Sequence, residues 1–282
     1  MEGKKRSFTF QTKTIYFPPL KKKVNILLQQ RDGPCMLIAI FNSLVLKGKI
    51  SIECGVYSSS SIISTIQNCD IDAYDLEKLL HGYYVNPSFK SCTEFEDYPD
   101  FLSKLDIKMV HAMVPSKKHK NYNIIKKYTY DSMIMKIIEL QSSSKSSDEL
   151  KVLSSWYSKL NKQLTSEGIK EIESKIQEGE VQIFFRNSHF ACIYKHLNTV
   201  YSLITYSQLA AKNCVWHSLP SSNGEFQYFD QNFNLTYCKP WTEAKQSKEK
   251  TKEKQMKVIS ASKQKVPSKH KKVAKSNECT IY

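Results

Sequence analysis

Short apolar runs near the N-terminus are each closed by a turn signal. Residues 14–17 (Thr-Ile-Tyr-Phe) predict a strand that ends at Pro18-Pro19, and residues 24–28 predict a second strand. Residues 34–48 follow, apolar on nearly every side, with a proline in the first turn and a glycine after a terminal lysine. This pattern predicts a helix that is buried in the middle of the fold.

The periodicity changes along the second half of the chain. Helical spacing predicts helices over residues 75–80, 131–140, 150–163 and 169–177, whereas the serine-rich stretch 51–70 is ambiguous. From residue 181 onward the spacing is that of strands, at residues 181–185, 190–194 and 200–205, with a turn at residues 196–198. We therefore expect an α+β fold.

The charge distribution separates the chain into two parts. The 282 residues contain 42 Lys+Arg and 27 Asp+Glu, a net charge of +15, and residues 245–278 alone carry +9 of it. We expect residues 1–241 to form the folded domain and residues 242–282 to be a disordered, Lys-rich tail. Because few aromatic side chains lie among the tail lysines, a specific nucleic-acid partner is disfavoured.

Neither membrane insertion nor metal binding is indicated by the sequence. No apolar run approaches the length of a membrane span, and the N-terminus lacks a signal-peptide core, so we expect a cytoplasmic or nuclear protein. The eight cysteines show no CxxC spacing and no paired histidines accompany them, which gives no support for a metal site or any other cofactor.

One cysteine and one histidine stand out as candidates for nucleophilic catalysis. Cys35 begins the predicted buried helix, where the helix dipole stabilises a thiolate, and His189 begins a predicted strand between aromatic neighbours. A cysteine early on a helix and a histidine much later on a strand is the order of papain-like peptidases. The alternatives are a cysteine that only packs at a helix start and a half-buried structural histidine.

An oxyanion hole for that cysteine requires hydrogen-bond donors close to it. Gln29 lies six residues before Cys35, the offset of the glutamine in papain-like enzymes, and Gln30 competes with it. Spacing alone does not separate these two residues.

Several motifs together resemble the MINDY deubiquitinases. Residues 29–42 resemble the family signature TQNxNGPCPLLAIxN, and residues 177–190 resemble QEGELCVFFRNNHF. Residues 80–87, 164–168 and 215–219 resemble LYHGWLVDP, QLTxxGL and VVWESL. The matches occur in order between about residues 29 and 233, so the chain is identified as a member of this family.

The resemblance implies a cysteine isopeptidase with a papain-like catalytic domain. Its substrates would be ubiquitin and polyubiquitin chains, with a preference for long chains of the lysine-forty-eight linkage. By matching positions, Cys35 is the nucleophile, His189 the general base and Gln29 the oxyanion glutamine. Thr205 matches the family's third catalytic residue, which orients the imidazole without the charge of a carboxylate.

Some positions depart from the family motifs. Asp32 replaces the asparagine of NGPC, Met36 replaces the proline after the cysteine, and residues 206–208 replace a DQG. These changes leave open a catalytically weak or inactive ubiquitin-binding protein. The Lys-rich tail also lacks the acidic and apolar ubiquitin-binding helix that is usual in the family.

The last four residues, Cys-Thr-Ile-Tyr, resemble a CaaX prenylation box with an unusual terminal residue. Prenylation of Cys279 together with the neighbouring lysines would hold the protein at an anionic membrane surface. The alternatives are a basic adaptor that acts at membranes, a nuclear-localisation signal at residues 269–272, and a tail that ends in cysteine by chance.

Overall fold

The structure is a computed structural model that describes residues 7–30, 33–143 and 147–238. Within these residues the chain forms ten strands and eight α-helices. The strands are β1 (Thr9–Phe17), β2 (Lys22–Leu27), β3 (Val56–Ser58), β4 (Met109–His111), β5 (Val181–Arg186), β6 (His189–His196), β7 (Thr199–Leu203), β8 (Trp216–Ser218), β9 (Tyr228–Phe229) and β10 (Leu235–Thr236). The helices are α1 (Cys35–Leu46), α2 (Ser59–Gln67), α3 (Ala73–Lys78), α4 (Phe101–Lys104), α5 (Tyr122–Ile125), α6 (Tyr130–Ser142), α7 (Asp148–Lys159) and α8 (Ser166–Lys175).

The strands form two sheets. The N-terminal sheet has the order β2-β1-β3 and is antiparallel throughout. The larger sheet has the order β10-β9-β8-β7-β6-β5-β4, in which only β4 and β5 are parallel. The expected α+β class is therefore confirmed, and the two predicted N-terminal strands are β1 and β2.

Two tight hairpins fix the register of the larger sheet. Asn187 and Ser188 connect β5 to β6 with φ angles of 49° and 56°, and Leu197 and Asn198 connect β6 to β7 with 47° and 63°. Two left-handed residues in a two-residue loop are typical of the type I′ turn, whose twist matches that of the strands it joins. As a result His189 pairs directly with Arg186 across the first hairpin.

Helix α1 lies at the centre of the fold, as its all-round apolar pattern predicts. Every residue from Met36 to Leu46 is buried, and the helix packs against β2, β5 and β6. Its polar residues are satisfied internally. Asn42 accepts a hydrogen bond from the Leu27 N–H (2.8 Å) and donates one to the Leu27 carbonyl (3.0 Å). These two bonds attach the helix to the end of β2.

Helix α8 contacts the opposite face of the larger sheet. Its Ile172 packs in a second apolar cluster with Phe184, Ile193 and Val200. The Thr165 hydroxyl caps the helix by accepting a hydrogen bond from the Gly168 N–H at 2.9 Å. The larger sheet is thus enclosed between α1 on one side and α8 on the other.

A few sequence-based predictions are wrong. The strand predicted over residues 200–205 ends at Leu203, because the chain then leaves β6 and residues 205–207 bond with Gln29 instead. The polar sequence around Cys92 predicts a loop, but its side chain is fully buried, and burial raises the pKa of its thiol to about 12. The sequence singles out no special setting for His111, yet it is fully buried on β4. Among the described residues, no helix has both the length and the apolar character needed to cross a bilayer.

Candidate active site

Cys35 is the first residue of α1, as predicted, and its side chain is half-buried. Pro34 precedes it as the N-cap residue, with its carbonyl accepting the first helical hydrogen bond from Ile38 at 3.2 Å. First-turn N–H groups of an α-helix have no acceptor within the helix, and they carry the positive end of its dipole. The Cys35 sulfur is therefore in a position where negative charge is stabilised.

Gln29 is held close to the start of α1 by backbone pairing. Its N–H donates to the Thr205 carbonyl at 2.6 Å, and its carbonyl accepts from the Ser207 N–H at 3.1 Å. Its side-chain Nε2 donates to the Gly33 carbonyl at 3.3 Å, two residues before Cys35. The Gln29 side chain is thus buried beside the helix start.

The two neighbouring glutamines have different environments. Gln29 is only 8% exposed, whereas Gln30 is exposed to solvent. The Gln29 amide reaches the segment before the helix, whereas Gln30 does not share this buried position. Asp32, one of the departures from the family motif, lies outside the described residues.

The larger sheet is open at the end where His189 lies. Strands β6 and β7 pair from Ile193–Ser202 to His196–Thr199, but β6 continues back to His189 with β5 as its one strand partner among the described residues. On the other side of this opening, residues 205–207 pair with Gln29 instead. The start of β6, the Gln29 segment and the start of α1 therefore lie at the same end of the sheet.

His189 is half-buried and its ring is held in the neutral form. Burial lowers the pKa of His189 to about 4, with a smaller contribution from the charge of His217. By the alternation of strand residues, His189 shares a sheet face with its partner Arg186, whereas Cys192 faces α1 through the Ser43 hydroxyl. Its position at the first residue of β6 puts the imidazole at the rim of the sheet.

Two basic side chains accompany His189 on this face. The Nδ1 atom of His217 lies 2.8 Å from the Ser218 carbonyl, which requires Nδ1 to carry the proton. Burial, and more weakly the charge of Arg186, lowers the pKa of His217 to about 4. The Arg186 Nε donates to the Lys162 carbonyl at 3.0 Å. Both residues lie within motifs that resemble the family, but their proximity to His189 depends on the strand order.

The predicted site residues are thus distributed as follows. Gln29 and Thr205 are joined through their backbones, and Cys35 follows the segment that Gln29 contacts. His189 begins the strand on the other side of the opening. Cys279 lies outside the described residues.

A family model described as "MINDY deubiquitinase" matches residues 8–233, which include every predicted site residue except Cys279. The chain belongs to the MINDY deubiquitinase family.

Curated relatives carry the name ubiquitin carboxyl-terminal hydrolase. MINDY-1 of Danio rerio is 28% identical over 249 residues, which are 78% of this chain and 48% of that protein. MINDY-1 of Homo sapiens is 27% identical over 251 residues (79% and 54%), and MINDY-2 of Homo sapiens is 30% identical over 239 residues (74% and 38%). The chain spans about half, or less, of the length of these relatives.

Proposed function

We propose that this chain is a cysteine-type deubiquitinase that hydrolyses isopeptide bonds in polyubiquitin. The observation that carries the proposal is the joining of Gln29 to both the Thr205 segment and the residues before Cys35, at the open end of the sheet where His189 begins β6. A nucleophile, a base and an oxyanion donor are the three groups that acyl transfer by a cysteine requires. Membership of the MINDY family supports the same conclusion.

In the proposed reaction His189 removes the proton from the Cys35 thiol. The thiolate attacks the carbonyl carbon of the ubiquitin C-terminal glycine, and the tetrahedral oxyanion is held by the Cys35 N–H and the Gln29 amide. His189 then gives the proton to the leaving lysine amine. Water hydrolyses the thioester and releases ubiquitin with a carboxylate terminus.

Two features of the site are consistent with these roles. A primary amide has two N–H groups, so the Gln29 amide can keep its bond to the Gly33 carbonyl and donate the second hydrogen to the oxyanion. Because burial lowers the pKa of His189 to about 4, its imidazole is neutral at pH 7, which is the form that a general base requires. We propose that Thr205 orients this imidazole, as the family resemblance implies.

A ubiquitin probe that carries a C-terminal electrophile tests the proposal. We expect wild-type protein to form one covalent adduct, Cys35→Ala to form none, and the exposed-thiol control Cys54→Ala to react like wild type. The enzyme proposal fails if wild type forms no adduct or if Cys35→Ala still forms one. Probe binding without an adduct would instead favour the inactive ubiquitin-binding alternative, which the Asp32 and Met36 replacements leave open.

We further propose a preference for lysine-forty-eight-linked chains, which rests on the family resemblance alone. Cleavage of tetraubiquitins of each linkage at equal concentration measures it. Faster cleavage of the lysine-forty-eight tetramer than of every other tetramer is the expected result. Equal rates for all linkages would refute the preference.

For the tail we propose attachment of a cytoplasmic enzyme to anionic membrane, on the basis of the lysines between residues 245 and 278 and of Cys279 as the lipid acceptor. Mass spectrometry of the native protein tests the lipid, and an unmodified C-terminal peptide excludes it. Co-sedimentation with anionic but not neutral vesicles is expected. Nuclear accumulation that depends on residues 269–272 would favour the nuclear-localisation alternative.

A further inference from the structure

Two cysteines at the two ends of the segment that contains β8, β9 and β10 lie in one apolar cluster. Cys214 lies just before β8 and Cys238 just after β10, yet both pack with Ile204 and Leu209 and are only 1% and 4% exposed. Cys238 acts on the Cys214 thiol, so the two side chains are neighbours in this cluster. Neighbouring thiols can close into an S–S bond when their Cβ atoms approach to about 4 Å.

A lysine ammonium lies beside this pair. The Nζ atom of Lys13 donates to the carbonyls of Lys212 (2.8 Å) and Cys214 (2.9 Å), and its charge interacts with both thiols. A nearby ammonium group stabilises the thiolate form of a cysteine. Burial nevertheless dominates at Cys214 and raises the pKa of its thiol. Cys214 is therefore a poor first nucleophile, and Cys238, which follows the exposed Tyr237 at the sheet edge, is the thiol that an oxidant meets first.

Access to Cys238 comes from the weak edge of the sheet. Strands β9 and β10 contain two residues each, and the neighbouring Tyr237 is 82% exposed. Edges held by so few hydrogen bonds open locally at a small cost in free energy. A small oxidant can thus reach Cys238 without unfolding of the domain.

We propose that Cys214 and Cys238 are a redox modification site that closes into a disulfide in the presence of a peroxide. The Cys238 sulfur attacks one peroxide oxygen, the O–O bond breaks, and a sulfenic acid and water form. The Cys214 sulfur then displaces the sulfenic oxygen, which leaves as a second water with the thiol proton. Two thiols are oxidised by two electrons and one hydrogen peroxide is reduced to two waters.

The disulfide links both ends of the segment that contains β8, β9 and β10. Cys214 and Cys238 are 24 residues apart, so the bond closes a loop of moderate length in the unfolded chain. Cross-links of this kind stabilise the folded state, and we expect the melting temperature to rise by about 5–10 °C on oxidation and to return after reduction.

Peptide mass spectrometry provides the test. No Lys or Arg lies between Lys212 and Lys239, and Pro240 blocks cleavage after Lys239, so trypsin releases both cysteines in one peptide, residues 213–245. After treatment of the full chain with hydrogen peroxide and alkylation, we expect this peptide to be unalkylated and lighter by two hydrogen atoms. If dithiothreitol is added after the peroxide and before the alkylating agent, the same peptide should be doubly alkylated.

The variants Cys214→Ser and Cys238→Ser should each lose both the mass change and the rise in melting temperature, and Cys54→Ser should keep both. If one serine variant does not fold, the other still decides. The proposal is overturned if the peptide remains fully reduced once the exposed Cys54 is completely oxidised. A melting shift that persists in Cys238→Ser would overturn it equally.

Discussion

The replacement Asn42→Ala tests how α1 is fixed to the N-terminal sheet. Asn42 is fully buried, and its amide satisfies both the N–H and the carbonyl of Leu27 at 2.8 and 3.0 Å. Alanine removes both partners and leaves two buried backbone groups without hydrogen bonds. Each such group costs about 1–3 kcal/mol, so we expect a loss of about 4 kcal/mol in the free energy of unfolding.

Urea denaturation followed by circular dichroism measures this loss, with Asn213→Ala as the matched control at an exposed position. The same variant should react more slowly with the ubiquitin probe, because Leu27 lies only two residues before Gln29 in the same segment. A destabilisation below about 1 kcal/mol, equal to that of Asn213→Ala, would refute the role assigned to these two hydrogen bonds.

Three further predictions concern packing, pH and catalysis. Gly168→Ala places a Cβ 2.2 Å from the Ala112 carbonyl oxygen, so the variant should lose at least about 3 kcal/mol of stability or fail to fold. A melting temperature equal to that of wild type would contradict this prediction. Burial lowers the pKa of His111 from 6.5 to about 4, so the unfolded chain binds this proton first, and His111 should remove about 3 kcal/mol of stability between pH 6.5 and pH 4. His189 and His217 have similarly lowered pKa values, so His111→Gln should reduce the measured slope by about a third, and an unaltered slope would contradict the assignment. Gln29→Ala should lower kcat by about 10²-fold while Gln30→Ala has little effect, and equal losses in both variants would remove the distinction between them.

Local sequence patterns predicted the elements that carry the site but not the contacts between them. The all-round apolar run of α1 and the strand start at His189 follow from short-range periodicity, and both are confirmed. Thr205 is the last residue of the strand that the sequence predicts over residues 200–205. Its backbone instead leaves the sheet to bond with Gln29, a partner 176 positions away in the sequence, which no local pattern encodes.

No local sequence pattern predicts the electrostatic environment of His189 either. Arg186 and His217 reach the same face only because β8 pairs with β7 and β5 pairs with β6. The parallel strand β4 could not be foreseen either, since its three residues are too few to give a periodic signal. Where hairpins are short, as at Asn187-Ser188, the register follows from turn chemistry; where partners are distant, it requires the fold.

The most direct test of the account is cleavage of lysine-forty-eight-linked tetraubiquitin by the full chain and by its Cys35→Ala and His189→Asn variants. Wild type should release shorter chains and ubiquitin, Cys35→Ala should release none, and His189→Asn should lose at least about 10²-fold in rate while remaining folded. Cleavage that persists in Cys35→Ala, or wild-type protein that is folded and yet releases no ubiquitin, would contradict the proposed function.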